Sequence, residues 1–291
     1  MLNTIKSAVS RFGVWQKTRF FNTALIALLT SGNLYAQVGK LAIVIDDVGY
    51  HQKEDAAVLA MPKEISLAII PSAPYARQRN QQAKIGGHDV LIHMPMQPLN
   101  NMRIEEGGLL LGMSAQQVAQ RVATAKNIVS NAIGMNNHMG SAATSDPVLM
   151  NYLMSELAKY HLFFLDSRTV GHSVAGKIAR EQGVQSLDRH IFLDDSDVPA
   201  DIQRQYQRAI QYARKHGTAI VIGHPRKNTV AVLQAGLRNL PEDIQLVSMG
   251  SLWRNEKVVP AKPFILIFGE QPAPTSIAPF TSVPLLRGVP H

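Results

Sequence analysis

Leu41-Ala-Ile-Val-Ile45, followed at once by Asp46-Asp47, is the stretch of sequence that indicates the fold. Five more apolar runs along the chain end in the same way at an aspartate or a histidine; they lead into His93, His138, Asp166, Asp194 and His224. Short aliphatic runs bounded by polar residues are consistent with buried strands of a parallel sheet. Because α/β enzymes place their chemistry at the C-terminal ends of such strands, these endings predict one polar site.

Segments with a helical pattern alternate with the apolar runs. We predict helices from Ser114 to Ala132, from Asp146 as N-cap onward, and from about Asp197 to His216. The chain has 291 residues, 46% of them hydrophobic, and seven or eight βα units within roughly 220 of them predict a (β/α) barrel. An open doubly wound sheet is the alternative, because a reversal of strand order leaves no trace in the sequence.

The N-terminal segment has the pattern of a secretory signal peptide. Residues 1–37 contain four basic side chains and no acid. The basic side chains come first, the uncharged apolar stretch from Phe20 to Thr30 follows them, and Ala36 lies shortly after that stretch. We expect cleavage after Ala36 and a mature chain in the periplasm. An uncleaved anchor is the alternative, but the apolar core is about half of the roughly 20 residues that a membrane span needs. No later segment is apolar enough to span.

Composition narrows the classes of partner and of site. Loss of the signal peptide removes four positive charges, so the net charge falls from +8 to +4. Because the remaining Lys and Arg residues form no stripe, we expect no nucleic-acid partner.

The absence of cysteine excludes thiolate metal sites, catalytic cysteine and disulfides. Residues 37–260 form the predicted barrel domain, and residues 261–291 are a Pro-rich tail that we expect to be mobile.

The two aspartates and two of the histidines have the chemistry of a metal site. Asp46, Asp47, His93 and His138 offer ligands suited to zinc or another divalent metal. Three ligands and a water make a hydrolytic site, in which a free aspartate takes the proton and His224 protonates the leaving group. The structural alternatives are a helix N-cap for the aspartates and a core histidine bonded to backbone for His93.

Six short motifs occur in an order that resembles a known family. They are Ile45-Asp-Asp-Val-Gly49, His93-Met-Pro-Met-Gln-Pro98, Asn137-His-Met-Gly-Ser141, Asp166-Ser-Arg-Thr169, Phe192-Leu-Asp-Asp195 and Gly223-His-Pro225. Together they resemble the divergent polysaccharide deacetylase family, an exported branch of the deacetylase superfamily with a distorted (β/α) barrel. The resemblance covers about residues 40–252. It implies that Asp46 is the base and Asp47 a metal ligand, while His93 and His138 replace the usual His-x-x-x-His pair.

Further residues are assigned to the site with alternatives left open. Asp166 is a catalytic candidate or half of an orienting ion pair with Arg168. One acid of the run from Asp194 to Asp197 would line the site while another caps the next helix. The residues assigned to substrate binding or orientation are Arg168, Asp194, Asp195, Met96 and Ser141, with packing as the alternative for Met96.

The strand-end residues and the family resemblance together predict an exported, metal-dependent hydrolase, with zinc the favoured metal, that removes acetyl groups from an envelope sugar or polysaccharide. The alternative function is a non-catalytic envelope protein that keeps the barrel and binds glycan or a protein partner in its cleft.

Overall fold

The computed structural model describes residues 38–100 and 102–256, in which the chain alternates between strands and helices. The strands are β1 Gly39–Val48, β2 Ser66–Ile69, β3 Val90–Met96, β4 Gly134–Met139, β5 Phe163–Asp166, β6 Ser186–Asp188, β7 Ile191–Phe192, β8 Thr218–Gly223 and β9 Ile244–Leu246. The α-helices are α1 Gln52–Leu59, α2 Ala76–Gly86, α3 Ala115–Ile128, α4 Pro147–Lys159, α5 Ala175–Glu181, α6 Pro199–His216, α7 Lys227–Arg238 and α8 Met249–Trp253. Every strand but β6 precedes a helix or, in the case of β4, a 3₁₀ turn and then a helix.

All the strands belong to one sheet in which each pairing is parallel. The strand order is β6-β5-β4-β3-β2-β1-β8-β7, and β9 adds to β1 beside β8. The order runs from β1 to β6 without a reversal, which is the order of a barrel rather than of a doubly wound sheet. The predicted barrel is therefore confirmed, and the open-sheet alternative is wrong.

The two edge strands show how far the sheet curls. β6 and β7 lie at opposite ends of the strand order, yet only Arg189 and His190 separate them in the chain. Two residues span only about 10 Å, so the two edges must lie close together. Arg189 N donates to Asp166 O on β5 at 3.0 Å, and His190 N donates to Ile220 O on β8 at 2.8 Å. The sheet is therefore a curled, distorted barrel whose gap is bridged by these two residues.

Among the described residues, side-chain caps begin three helices, α3, α4 and α8, whereas α1, α2, α5, α6 and α7 have none. Ser114 and Gln117 form a capping box at the start of α3, and the Asp146 side chain caps α4 by accepting from Leu149 N. α3 ends at Ile128 rather than at the predicted Ala132. The N-cap of α6 is Val198, which makes no side-chain cap, so the prediction that an acid of the 194–197 run caps this helix is wrong.

The hydrophobic core forms two clusters, and buried polar residues at the C-terminal strand ends include Asp46, His93, Asn136, Asp166 and Asp194. β2 and β3 are buried along their whole length, as expected of strands enclosed by helices on a barrel. Among the helices of residues 38–100 and 102–256, none has both the length and the apolar character of a membrane span. The predicted signal peptide and Pro-rich tail lie outside the described residues.

Candidate metal centre

The end of β1 presents two consecutive aspartates to the same side. Side chains of neighbouring strand residues normally point to opposite faces. Asp47 adopts a φ of 55°, in the left-handed region that aspartate tolerates better than most residues, and the pairing register shifts between Ile45 and Val48. This local distortion turns both Asp46 and Asp47 toward the C-terminal end of the sheet, which we call the barrel mouth. Neither caps α1, whose N-cap is His51, so the N-cap alternative is wrong.

Three side chains from β1, β3 and β4 meet in a nearly equilateral triangle of ligand atoms. His93 Nε2 lies 3.2 Å from Asp47 Oδ1, His138 Nδ1 lies 3.0 Å from the same oxygen, and the two nitrogens are 3.1 Å apart. Zinc bound tetrahedrally with ligand distances of 2.0–2.1 Å would separate its ligand atoms by about 3.3 Å. Asp47 Oδ1 is buried, and no described residue contacts it with the geometry of a hydrogen bond. The three residues therefore fit a divalent metal.

Asn136 determines which nitrogen of His93 faces the triangle. Asn136 Nδ2 donates to Asp46 Oδ1 at 2.9 Å and contacts Ser167 Oγ at 3.2 Å, which leaves the amide oxygen 2.9 Å from His93 Nδ1. Because an amide oxygen only accepts, His93 must carry a proton on Nδ1. Its Nε2 is then free to bind metal. His93 is held by a side chain, not by backbone, which contradicts the core-histidine alternative.

The charges of the cluster favour a positive charge at its centre. Burial raises the pKa of the Asp46 carboxyl, although the charges of His93 and His224 oppose this effect. Burial acts to lower the pKa of His93, but Asp46 and Asp47 outweigh it and raise that pKa to about 9. Burial also acts to raise the pKa of Asp47, but its contacts with His138 and His93 hold it well below its usual range. The same carboxylates that attract a proton to His93 would attract a metal ion in its place.

His224 approaches the cluster from β8, on the opposite side from β4. Its Nδ1 lies 2.9 Å from Asp194 Oδ1, while Asp194 Oδ2 accepts from His224 N and from Thr229 Oγ1. Burial acts to lower the pKa of His224, but the hydrogen bond and the charge of Asp194 raise it above its ordinary value. Its Nε2 lies 3.7 Å from Asp47 Oδ2. A histidine oriented by a carboxylate, with its free edge toward the site, is suited to donate a proton there.

The family model for divergent polysaccharide deacetylases matches residues 43–253 of this chain. The chain belongs to this family. An uncharacterized protein of Haemophilus influenzae is 71% identical over 286 residues, which cover 98% of each chain. The uncharacterized protein YibQ of Escherichia coli K12 is 44% identical over 242 residues, covering 83% of this chain and 76% of the relative.

A solved structure shows the same fold. The uncharacterized protein ATU2773 of Agrobacterium tumefaciens C58 is similar with a TM-score of 0.70 at 23% identity, covering 75% of this chain and 90% of that one. The predicted family and the predicted fold class are therefore both confirmed.

In this member of the divergent polysaccharide deacetylase family, Asp166 lies beside Arg168. Asp166 Oδ1 accepts from Arg168 N at 2.8 Å, and Arg168 Nη1 lies 4.0 Å from Asp166 Oδ2 and 3.8 Å from Asp188 Oδ2. Burial raises the pKa of Asp166. The contacts favour the orienting ion pair, and the catalytic role of Asp166 stays a prediction.

The remaining predicted site residues differ in what they can contact. Met96 is fully buried in the hydrophobic core, so it is a packing residue and the prediction that it contacts substrate is wrong. Ser141 Oγ accepts from Leu99 N at 2.8 Å and so shapes the loop that follows β3. Asp194 is fully buried and orients His224, whereas Asp195 is exposed and its role stays a prediction.

Two residues that the sequence analysis did not assign lie against the cluster. Asn136 precedes His138 by two residues on β4, so strand alternation places both side chains on one face, and this signal was present in the sequence. Glu105 lies in the loop between β3 and α3, with Oε1 3.4 Å from His138 Nε2. No regular pattern in that loop identifies it.

Proposed function

We propose that this protein is an exported, metal-dependent hydrolase that removes acetyl groups from an acetylated sugar or polysaccharide of the cell envelope. The observation that carries the proposal is the triangle of Asp47, His93 and His138, with the Asp46 carboxylate 3.5 Å from His93 Nε2. Membership of the divergent polysaccharide deacetylase family supports the class of substrate. The basic and then apolar pattern of residues 1–36 supports export to the periplasm.

Each residue of the cluster has a distinct role in this proposal. Asp47, His93 and His138 would hold a divalent metal, for which zinc suits the ligand set best. When bound, such a metal supplies a water of lowered pKa and polarises a carbonyl group. Asp46, whose pKa is raised by burial, takes a proton from the attacking water.

His224 completes the reaction from the other side. Asp194 accepts the proton of His224 Nδ1 in a hydrogen bond and so holds the ring in place. His224 Nε2 then gives a proton to the leaving nitrogen or oxygen of the sugar. The C–N or C–O bond of the acetyl group breaks, and acetate leaves with the oxygen that came from water. The buried hydroxyl of Thr229 fixes Asp194, so the donor is held before substrate arrives.

The test measures metal content and acetate release on the mature chain, residues 37–291. We expect near-stoichiometric zinc after loading, lost in His93→Ala and His138→Ala, and acetate release from N-acetylglucosamine oligomers or an O-acetylated sugar. Asp46→Asn should keep the metal and lower turnover about 10²–10⁴-fold. The exposed Asp197→Asn is the matched control and should behave as wild type.

The alternative function has its own outcome in the same experiment. Zinc bound stoichiometrically without acetate release from any of these sugars would favour a glycan-binding envelope protein. No metal after careful loading would contradict the hydrolase. Export has a separate test: the periplasmic fraction should contain a chain that begins at Gln37, and recovery of the chain with its first 36 residues attached would favour the anchor instead.

A further inference from the structure

The loop between β3 and α3 is fastened against the barrel rather than free of it. Leu109 N donates to Pro95 O at 2.8 Å, and Gln97 N donates to Leu109 O at 2.9 Å. Leu109 is fully buried. Gly108 lies so close to β3 that a Cβ there would be 2.9 Å from Pro95 O. These contacts return the loop to the end of β3 and hold the preceding residues over the barrel mouth.

Glu105 is the residue that this arrangement brings to the cluster. Its Oε1 lies 3.4 Å from His138 Nε2, and its side chain is 27% exposed. His138 Nε2 and Glu105 Oε2 are both buried atoms without a hydrogen-bond partner among the residues that the structure describes. The nearest acceptor to His138 Nε2 is therefore Glu105 Oε1, at a distance slightly longer than an ordinary hydrogen bond.

The two nitrogens of His138 point in opposite directions, and this sets the requirement for metal binding. Nδ1 belongs to the ligand triangle, so it must carry no proton when a metal is bound. The ring proton must then sit on Nε2, the nitrogen that faces Glu105. A carboxylate there accepts that proton in a hydrogen bond, fixes the ring and makes Nδ1 a stronger ligand.

We infer that Glu105 is a positioning residue that holds His138 with Nδ1 toward the metal, as Asn136 holds His93 with Nε2 toward it. The inference rests on the proposed metal site, but it adds a residue and a loop that the site motifs do not include. It also gives the β3–α3 loop a role in forming the metal centre, in addition to any contact with substrate.

The experiment is calorimetric titration of Zn²⁺ into the metal-free mature chain and its variants. Glu105→Ala should weaken zinc binding about 10–100-fold, the usual effect of losing an outer partner of a metal ligand. Glu105→Gln should weaken it less, because the amide oxygen still accepts from Nε2. Glu106→Ala removes the neighbouring, exposed carboxylate of the same loop and should leave the affinity unchanged.

Thermal unfolding of the metal-free chain distinguishes a loss of fold stability in Glu105→Ala from a loss of zinc affinity. Tm of the metal-free Glu105→Ala chain should equal that of wild type, while the rise in Tm on adding Zn²⁺ should be smaller. If Glu105→Ala lowers Tm without metal, Glu105→Met, which keeps the length of the side chain but has no strong acceptor, takes its place, and a zinc affinity equal to wild type in that chain overturns the inference.

The inference and the proposed function can fail separately. Wild-type zinc affinity in Glu105→Ala, in a protein that releases acetate, overturns the role of Glu105 alone. Weakened zinc binding in that variant, in a protein that releases no acetate, supports the role of Glu105 and contradicts the hydrolase.

Discussion

Replacing Asn136 by alanine should damage the site and the stability of the barrel together. The Asn136 amide joins three groups: it accepts from His93 Nδ1, donates to Asp46 Oδ1 and contacts Ser167 Oγ. Asn136 is fully buried, and Asp46 and His93 are each 2% exposed, so water cannot easily replace the amide.

The size of the effect follows from the groups left without partners. A buried polar group that loses its only partner costs about 1–3 kcal/mol. Asp46 Oδ1 and His93 Nδ1 both lose theirs, so we expect Asn136→Ala to lower the free energy of unfolding by about 2–6 kcal/mol. The ring of His93 also loses the acceptor that keeps its proton on Nδ1, and zinc affinity should fall about 10–100-fold.

Urea unfolding of the metal-free mature chain measures the first effect, and zinc titration measures the second. Asn127→Ala is the control, since Asn127 is exposed on α3, and it should change the free energy of unfolding by less than about 0.5 kcal/mol. In a double-mutant cycle with Asp46→Ala, the losses of unfolding free energy in the two single variants should add to more than the loss in the double variant. The reason is that Asp46→Ala already removes the carboxylate that Asn136→Ala leaves without a partner. Wild-type stability and zinc affinity in Asn136→Ala would refute the reasoning.

Three further changes test separate parts of the molecule. Asp194→Asn should lower acetate release about 10²–10⁴-fold at unchanged zinc affinity, because it weakens the hold on His224 without touching a ligand, and an unchanged rate would argue against His224 as the proton donor. Gly49→Ala should lower the free energy of unfolding in urea by about 1–3 kcal/mol, because Gly49 has a φ of 120° at the turn after β1. Arg79→Met should cost about 3–5 kcal/mol in the same assay, because it leaves the buried Asp55 carboxylate without its ion pair. Adding Asp55→Asn to Arg79→Met should recover part of that loss, and equal stability of the single and double variants would contradict the ion-pair explanation.

The strand ends were the part of the site that the sequence could predict. A run such as Leu41–Ile45 must be buried, and parallel strands bring their C-terminal ends to one edge, so His93, His138 and His224 had to lie near one another. These rules depend only on local hydrophobicity and on sheet geometry. The predicted metal ligands accordingly lie together, although the sequence carries no His-x-x-x-His segment.

The partners of the metal ligands depend on contacts that no local rule describes. Asn136 was detectable in principle, because it shares a strand face with His138. Glu105 was not, because its position depends on how Leu109 returns to pair with β3. The predicted acidic cap of α6 is wrong because the helix begins at Pro199, so that Val198 and not an aspartate of the 194–197 run stands at the N-cap.

The burial of Asp46 is the feature that best separates an enzyme from a binding protein built on the same barrel. At 2% exposure this carboxylate offers little surface to a glycan, and burial raises its pKa, so its charge is costly to maintain. A protein that only binds glycan needs no proton acceptor in this position. A hydrolase does, because a carboxylate of raised pKa beside the ligand triangle is a better proton acceptor for an attacking water. Replacement of Asp46 by Asn, which keeps the shape and the metal ligands, is therefore the change that should separate turnover from binding.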